Sequence, residues 1–336
     1  MDKSAVVILN YNGLEYLRQF LPSVVNNTSQ SHVVVIDNHS QDNSVSFVRQ
    51  QYPQVQLVEL EQNYGFSGGY NRGLPQVNSE YWILLNSDVE VTPNWDQPLI
   101  AYLDENDQVG LVQPAILSYQ QKDRFDYAGA AGGQLDFMGY PFCRGRLFHT
   151  LEKNHGQYQT NQDIFWTGGA CMAVRADLFK SLGGFDEDFF AHMEEVDLCW
   201  RCHLHGMKVA FVATSQVYHV GGGTLTNTNP RKTYLNFRNG LNLLLKNSTL
   251  TQTFWKIPLR MLLDIIAALR FLLTGSLSHF WAVIRALMAF LVTIPHTLGK
   301  RQHPGSLKPG LLYNRMIIWD YFVKRKKTYG ELTVEG

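Results

Sequence analysis

The segment LLNSDVEV, residues 84–91, is an apolar run that ends abruptly in short polar side chains, and its reading decides the fold. With Tyr81, Trp82 and Ile83 before it, the run has the length and apolar character of a buried strand bounded by a turn. Working outward, similar runs stand at 5–9, 32–37, 55–60 and 109–112, with helical patterns between them at 14–25, 43–51, 69–76 and 95–105. Strands alternating with helices predict an α/β protein with a largely parallel, doubly wound sheet. Ligands of such sheets bind beyond the carboxyl ends of the strands. Polar residues gather at those ends: Asn10 to Asn12, Asp37 with Asn38, Gln62 to Gly69, and Asn86 to Glu90.

Three of these places carry chemistry. Asn86, Asp88 and Glu90 alternate, so on an extended chain their oxygens share a face and could converge on a hard cation; the same residues also read as a plain turn. In FAHMEEVDLCWR, residues 190–201, Glu194, Glu195 and Asp197 fall where a helix should begin. The helix dipole favours acids there, and apolar surroundings could equally raise a carboxylate's pKa for general-base work. In EQNYGFSGGYNRG, residues 61–73, glycines at a strand-to-helix turn allow close backbone approach to an anion, without the GxGxxG spacing of a dinucleotide site.

The 336 residues, 45% hydrophobic and 17% charged, can bury a full core and carry an appendage. The net charge of zero is uneven. From residue 251 onward there are twelve Lys/Arg against four Asp/Glu, a surplus that the first 250 residues offset with acids. The apolar stretches 259–273 and 277–294 are interrupted by Arg260, Asp264, Arg270 and Arg285. That predicts amphipathic helices on an anionic membrane surface, with Trp255, Trp281 and Trp319 at headgroup depth, or else a helical subdomain or homo-oligomer interface. Nucleic acid is not among the expected partners. The start of the chain lacks signal-peptide anatomy and four cysteines make no disulfide framework, so the expected location is cytoplasmic. Cys199-Trp-Arg-Cys202-His203 spells a haem-attachment string, but it lies within the 194–205 helix pattern.

The ordered set VVILNYNG (6–13), VIDNHSQDNS (35–44), NYGFSGGYNRG (63–73), LLNSDVEV (84–91), WTGGACMAVRADLF (166–179), GGFDEDFF (183–190) and EEVDLCWR (194–201) resembles the family-2 inverting glycosyltransferases, nearest their bacterial rhamnosyltransferase-like branch. The resemblance implies a GT-A fold: a Rossmann-like, mostly parallel sheet flanked by helices, here followed by a C-terminal amphipathic helical region. It implies a catalytic domain over 1–250, with a nucleotide-sugar half (1–117) and an acceptor half (118–250), then a basic, apolar region over 251–336. It implies transfer of a sugar, rhamnose in this branch, from a dTDP- or UDP-linked donor to a glycan or polyprenyl-linked acceptor of a cell-surface polysaccharide. Carried over by position, Asn10, Asn12, Asp37, Asn38, Asn63, Gly65, Phe66, Gly69, Asn71, Asn86 and Ser87 face the donor. Asp88, helped by His219 of VYHVGGGT, holds Mn²⁺ or Mg²⁺. Trp166, Gly168 and Gly169 line the acceptor pocket. Glu195 stands at the position of the base, one methylene longer than the family's usual aspartate, with Glu194 and Asp197 beside it. Asn86 stands where the family often has an aspartate, and with Glu195 that departure suggests the alternative, a catalytically silent nucleotide- or glycan-binding subunit.

Overall fold

The computed structural model describes residues 2–221, 229–301 and 307–333. Gly222, Gly223 and Thr224 of the VYHVGGGT stretch, and 302–306 and 334–336 of the C-terminal region, lie outside the described residues. The first third alternates as expected: β1 (Asp2–Asn10), α1 (Leu14–Asn27), β2 (Ser31–Asp37), α2 (Ser44–Gln51), β3 (Gln56–Glu59), α3 (Gly65–Gly73), β4 (Ser79–Asn86), β5 (Val89–Val91), α4 (Asp96–Glu105) and β6 (Val109–Ser118). Short strands follow: β7 (Gly133–Leu135), β8 (Pro141–Cys143), β9 (Arg146–Leu147), β10 (Thr150–Leu151) and β11 (Gln162–Ile164). Next come β12 (Cys171–Arg175), α5 (Ala176–Ser181), α6 (Glu194–Leu204) and β13 (Lys208–His219). The chain ends in α7 (Pro230–Asn247), α8 (Leu250–Leu273), α9 (Leu277–Gly299) and α10 (Tyr329–Thr333).

The central sheet runs β11-β13-β6-β12-β4-β1-β2-β3, with β5 added on β13. β3, β2, β1 and β4 are parallel; β12 enters antiparallel between β4 and β6, which makes the sheet mixed. The continuous apolar runs serve two cores. Val7, Val34, Ile36 and Leu84 point to one face, and Ile8, Val35, Ile83 and Leu85 to the other, as the two-residue period of a strand requires. Register aligns Asn10 with Asp37 and Leu9 with Asn86, so the polar strand ends form one edge.

Two departures shape that edge. β13 runs past Ala213 to His219 through a register shift between Val212 and Gln216, and its far half pairs with β5, His219 beside Val89. The chain therefore turns at Ser87-Asp88 instead of continuing as one strand. Glu90 consequently does not join Asn86 and Asp88 on a common face; it ion-pairs with Lys122.

The region 120–165 forms hairpins, a small sheet β10-β9-β8-β7. α7, α8 and α9 share a core of Leu241, Leu245, Ala268, Val283, Leu287 and Phe290. The C-terminal region is also tied to the small sheet, where Ile317 N–H donates to Asp136 (2.9 Å) and Arg260 to the Met138 carbonyl (3.0 Å). It is thus built onto the body rather than hung from it, with α7 as the common wall.

Candidate active site

The carboxyl ends of β1 and β2 form a polar shelf. Asn10 Nδ2 donates to Asp37 Oδ2 (3.0 Å) and Ser40 Oγ (3.1 Å), and Ser40 N–H returns a bond to Asp37 Oδ1 (2.8 Å). Asn12, at φ 50°, accepts from Gln41 N–H and donates its own N–H to Ser40 Oγ. Asn38 Nδ2 spans to Asn63 Oδ1 (3.0 Å) and the Gly65 carbonyl (2.9 Å), fixing the glycine-rich turn. A Cβ on Gly69 would stand 2.8 Å from a Leu9 methyl and 3.1 Å from Asn38 Nδ2, so any side chain there would push on both. Asn10 Oδ1 is buried without a partner, and Gly13 and Ser87 line the space around it. A buried acceptor left open in an otherwise satisfied network marks where a ligand donor would sit.

Across the edge, the β4 and β13 ends bring Asp88 and His219 together. Asp88, only 7% exposed, lies 3.3 Å from His219 Nε2 through Oδ1, and its carbonyl accepts from Val220 N–H (3.0 Å). The opposite ring nitrogen of His219 meets Asp126 Oδ1 at 2.8 Å. Burial opposes charge on His219, but the bonds to Asp126 and Asp88 outweigh it and hold its pKa up at about 10. Among the described residues no group of three or more His, Cys, Asp and Glu side chains is arranged to hold a metal. Two donors still suit Mg²⁺ or Mn²⁺ in a site of this kind, since such ions take one or two protein ligands and fill the rest from phosphate and water, and an ion bound there would displace the proton of His219 Nε2. Adjacent ligands of an octahedral ion stand about 3 Å apart, near the observed spacing. The carboxylate behind the histidine is the usual means of orienting a metal-binding ring.

Asp126 was not foreseen. Its only sequence signal is an acid shortly before the glycine-rich 129–133, and its partner is 93 residues away. Asp126→Asn should raise the Mn²⁺ concentration for half-maximal turnover about 10–100-fold, with kcat at saturating metal largely kept. An unchanged metal titration would reduce Asp126 to a packing role.

The third component is the start of α6. Phe190, His192 and Met193 precede it with φ of 62°, 67° and 78°, left-handed values that cost energy in residues with side chains. Asn239 of α7 holds them there, its Nδ2 lying 2.8, 3.0 and 2.8 Å from the carbonyls of Phe189, Ala191 and His192. Glu194 and Glu195 follow, each with a buried Oε2 lacking a partner. Burial pushes Glu195 up to about 7; burial and the neighbouring Glu195 raise Glu194 well above the carboxylate range. Glu195 is the more exposed of the two, and its carboxyl faces Gly169. The next residue, Ala170, accepts the Asn86 N–H, so the pair abuts the turn that carries Asp88.

Other expected site residues hold the scaffold. Asp197 is wholly buried and bonded to Arg201 (2.8 Å), Lys246 (2.9 Å) and Asn247 (2.8 Å). Burial alone would raise its pKa, yet the two cations keep it below the usual range, and it anchors α6 to α7. Trp166 does not line a pocket: it lies in the core on Gly133 and donates to the Gln134 carbonyl (2.9 Å). Gly168 is likewise buried, its N–H on Gln113 (2.7 Å), and only Gly169 of the three is partly open. Asn71 exchanges bonds with the Phe185 backbone (2.8 and 2.9 Å), and Phe66 packs on Tyr70 and Phe185. Both join α3 to the loop before α6. Cys199 and Cys202 are core residues, and the His203 ring bonds the Phe165 carbonyl (2.9 Å).

The architecture matches solved GT-A enzymes. Staphylococcus aureus TarS 1–349 in complex with UDP-GlcNAc superposes with a TM-score of 0.56 at 16% identity, covering 89% of this chain and 84% of that one. The mannosyltransferase PcManGT from Pyrobaculum calidifontis, solved with GDP-Man and Mn²⁺, gives 0.53 at 14% identity, covering 86% and 87%. The fold and edge together are those of a glycosyltransferase. More particularly, the chain belongs to glycosyl transferase family 2, whose model matches residues 5–183. Among its relatives, the N-acetylglucosaminyl-diphospho-decaprenol L-rhamnosyltransferase of Mycobacterium tuberculosis is 28% identical over 65% of this chain and 76% of its own length. The low-salt glycan biosynthesis hexosyltransferase Agl10 of Haloferax volcanii is 23% identical over 85% of both, and the rhamnosyltransferase WbbL of Escherichia coli 22% over 64% and 82%.

Proposed function

We propose that this glycosyltransferase is a metal-dependent, inverting enzyme that moves a deoxyhexose, rhamnose on dTDP, onto a lipid-linked glycan. The observation that carries the reading is the Asp88–His219 pair, 3.3 Å apart, backed by Asp126 and set beside the partnerless carboxylate of Glu195. The shelf of Asn10, Asp37 and Asn38 receives the nucleoside, with Asn12, Asn63, Gly65 and Ser87 at its rim. Asp88 and His219 would hold Mn²⁺ or Mg²⁺, which supplies charge neutralisation for the departing diphosphate. Glu195 takes the proton from the acceptor hydroxyl while that oxygen attacks the anomeric carbon from the side opposite the diphosphate. A single displacement inverts the centre. The sugar and the lipid-linked acceptor rest on the rhamnosyltransferase relatives.

A panel of nucleotide sugars tested by thermal shift with Mn²⁺ examines this reading. A donor at a hundred times its Kd stabilises the native state by about 2.7 kcal/mol, a rise of several degrees. dTDP-rhamnose is expected to give the largest rise and, with added acceptor, turnover. Equal silence of all donors with and without Mn²⁺ would refute it.

A further inference from the structure

The outer face of α8 is inside out. Along α8 the buried positions recur every four residues and carry Lys256, Arg260, Asp264 and Ala268. Leu262, Ile265, Ile266, Leu269 and Leu273 face outward, Leu273 at 87% exposure. A helix against water buries its leucines and exposes its ions. Here the ions are settled inside: Arg260 bonds Asp264 at 3.1 Å and the Met138 carbonyl at 3.0 Å, and stacks 3.5 Å from the centre of the Tyr140 ring.

α9 is apolar on both faces. It buries Ala282, Val283, Ala286 and Phe290, and exposes Trp281 (54%), Met288, Leu291 and Val292 (79%). Among the described residues it is the one helix long and apolar enough to cross a membrane. Yet its inner face shares a core with α7, so only its outer face is open to lipid. The helical turn Trp319–Val323 extends the wall with exposed Trp319, Phe322 and Val323, and the Arg270 guanidinium lies 4.9 Å from the Phe322 ring.

We infer that α8, α9 and the turn Trp319–Val323 form a docking face that lies in the surface of an anionic lipid bilayer without spanning it. An apolar face this large is a docking surface, and its charges select the occupant. Arg270, Arg285, Arg325 and Lys327 are exposed on or beside the wall, whereas Asp264 and Asp320 are buried. A second copy related by a two-fold axis would set these cations against their own kind. Anionic headgroups neutralise them, and tryptophans suit headgroup depth. The wall also reaches the catalytic loop. His296 and Lys300 near the end of α9 bond Asp188 (2.7 Å) and Asp186 (2.6 Å), in the loop that leads to Glu194 and Glu195. The inference stands on this surface and holds whatever sugar is moved.

Flotation of the full chain with vesicles tests it. Phosphatidylglycerol vesicles should carry the protein at low salt, and pure phosphatidylcholine vesicles at least about tenfold less, a gap that narrows in high salt. Ile266→Glu with Leu269→Glu, or Val292→Glu alone, should cut partitioning about tenfold or more while vesicle-free donor hydrolysis and melting temperature stay near wild type. Wild-type protein that ignores anionic vesicles at low salt overturns the inference. So does a stable dimer by light scattering that the Val292→Glu substitution dissociates. Vesicle binding without donor turnover supports docking and counts only against the proposed activity; turnover without vesicle binding does the reverse.

Discussion

Asp88→Asn is expected to lower kcat by about 10²–10³-fold, the range for removing a single group that stabilises transition-state charge. The substitution keeps the side chain's size and removes only its charge and one anionic ligand. The turn keeps its backbone bonds, the Asp88 carbonyl on Val220 N–H and the Asn86 N–H on Ala170, and His219 keeps its bond to Asp126. Melting temperature should therefore change little, which separates a catalytic loss from unfolding. Glu90→Gln serves as the control. It removes a charge two residues away that is engaged with Lys122, and such exposed pairs contribute about 0–1 kcal/mol. Its kcat should stay within about twofold of wild type, as expected for a surface change outside the site. Near-normal turnover by Asp88→Asn, measured as donor consumption in Mn²⁺, would remove Asp88 from the metal site.

The difference between Asp88 and Glu90 shows where the sequence is legible and where it is not. Runs such as 5–9 and 81–85 are apolar at every position because both faces of the sheet are covered, so β1 to β4 and the shelf at their ends could be read locally. The turn after β4 could not. Alternation of Asn86, Asp88 and Glu90 reads as one strand face; what breaks it is β5 pairing with a strand more than a hundred residues later. β13 itself looks finished at Ala213, since Thr214, Ser215 and Gln216 resemble a turn. A register shift there carries it on to His219, with Ser215 buried and bonded to the Trp95 carbonyl (2.6 Å). That irregularity delivers the histidine to Asp88. Trp166 misled because a core indole and a pocket-lining indole have the same sequence signature. In α8 the periodicity marks two faces but not which of them turns inward, and the charged stripe of Lys256, Arg260 and Asp264 would ordinarily be assigned to water.

Glu195→Gln should abolish measurable transfer, a loss of about 10²–10⁴-fold, while donor affinity stays near wild type. The amide keeps the shape of the carboxylate but cannot accept the acceptor's proton. Donor binding is insulated because the shelf of Asn10, Asp37 and Asn38 is completed without α6. The pH profile adds a test that a structural role would not pass. Burial holds Glu195 up at about 7, above an unperturbed glutamate, so the base is protonated and idle below that pH and ionised above it. kcat for the wild type should accordingly climb as pH rises through about 7, and any residual turnover in the variant should lack that limb. The adjacent Glu194 is part of the same buried pair: burial and the neighbouring Glu195 raise its carboxyl well above the ordinary glutamate range. Glu194→Gln leaves the Glu195 carboxylate in place, and should keep the rising limb that Glu195→Gln removes. Asp197 cannot substitute, since Arg201, Lys246 and Asn247 occupy its oxygens and keep its proton affinity low. A flat profile through neutrality, or a Glu195→Gln enzyme that turns over normally, would return the base role to Glu194.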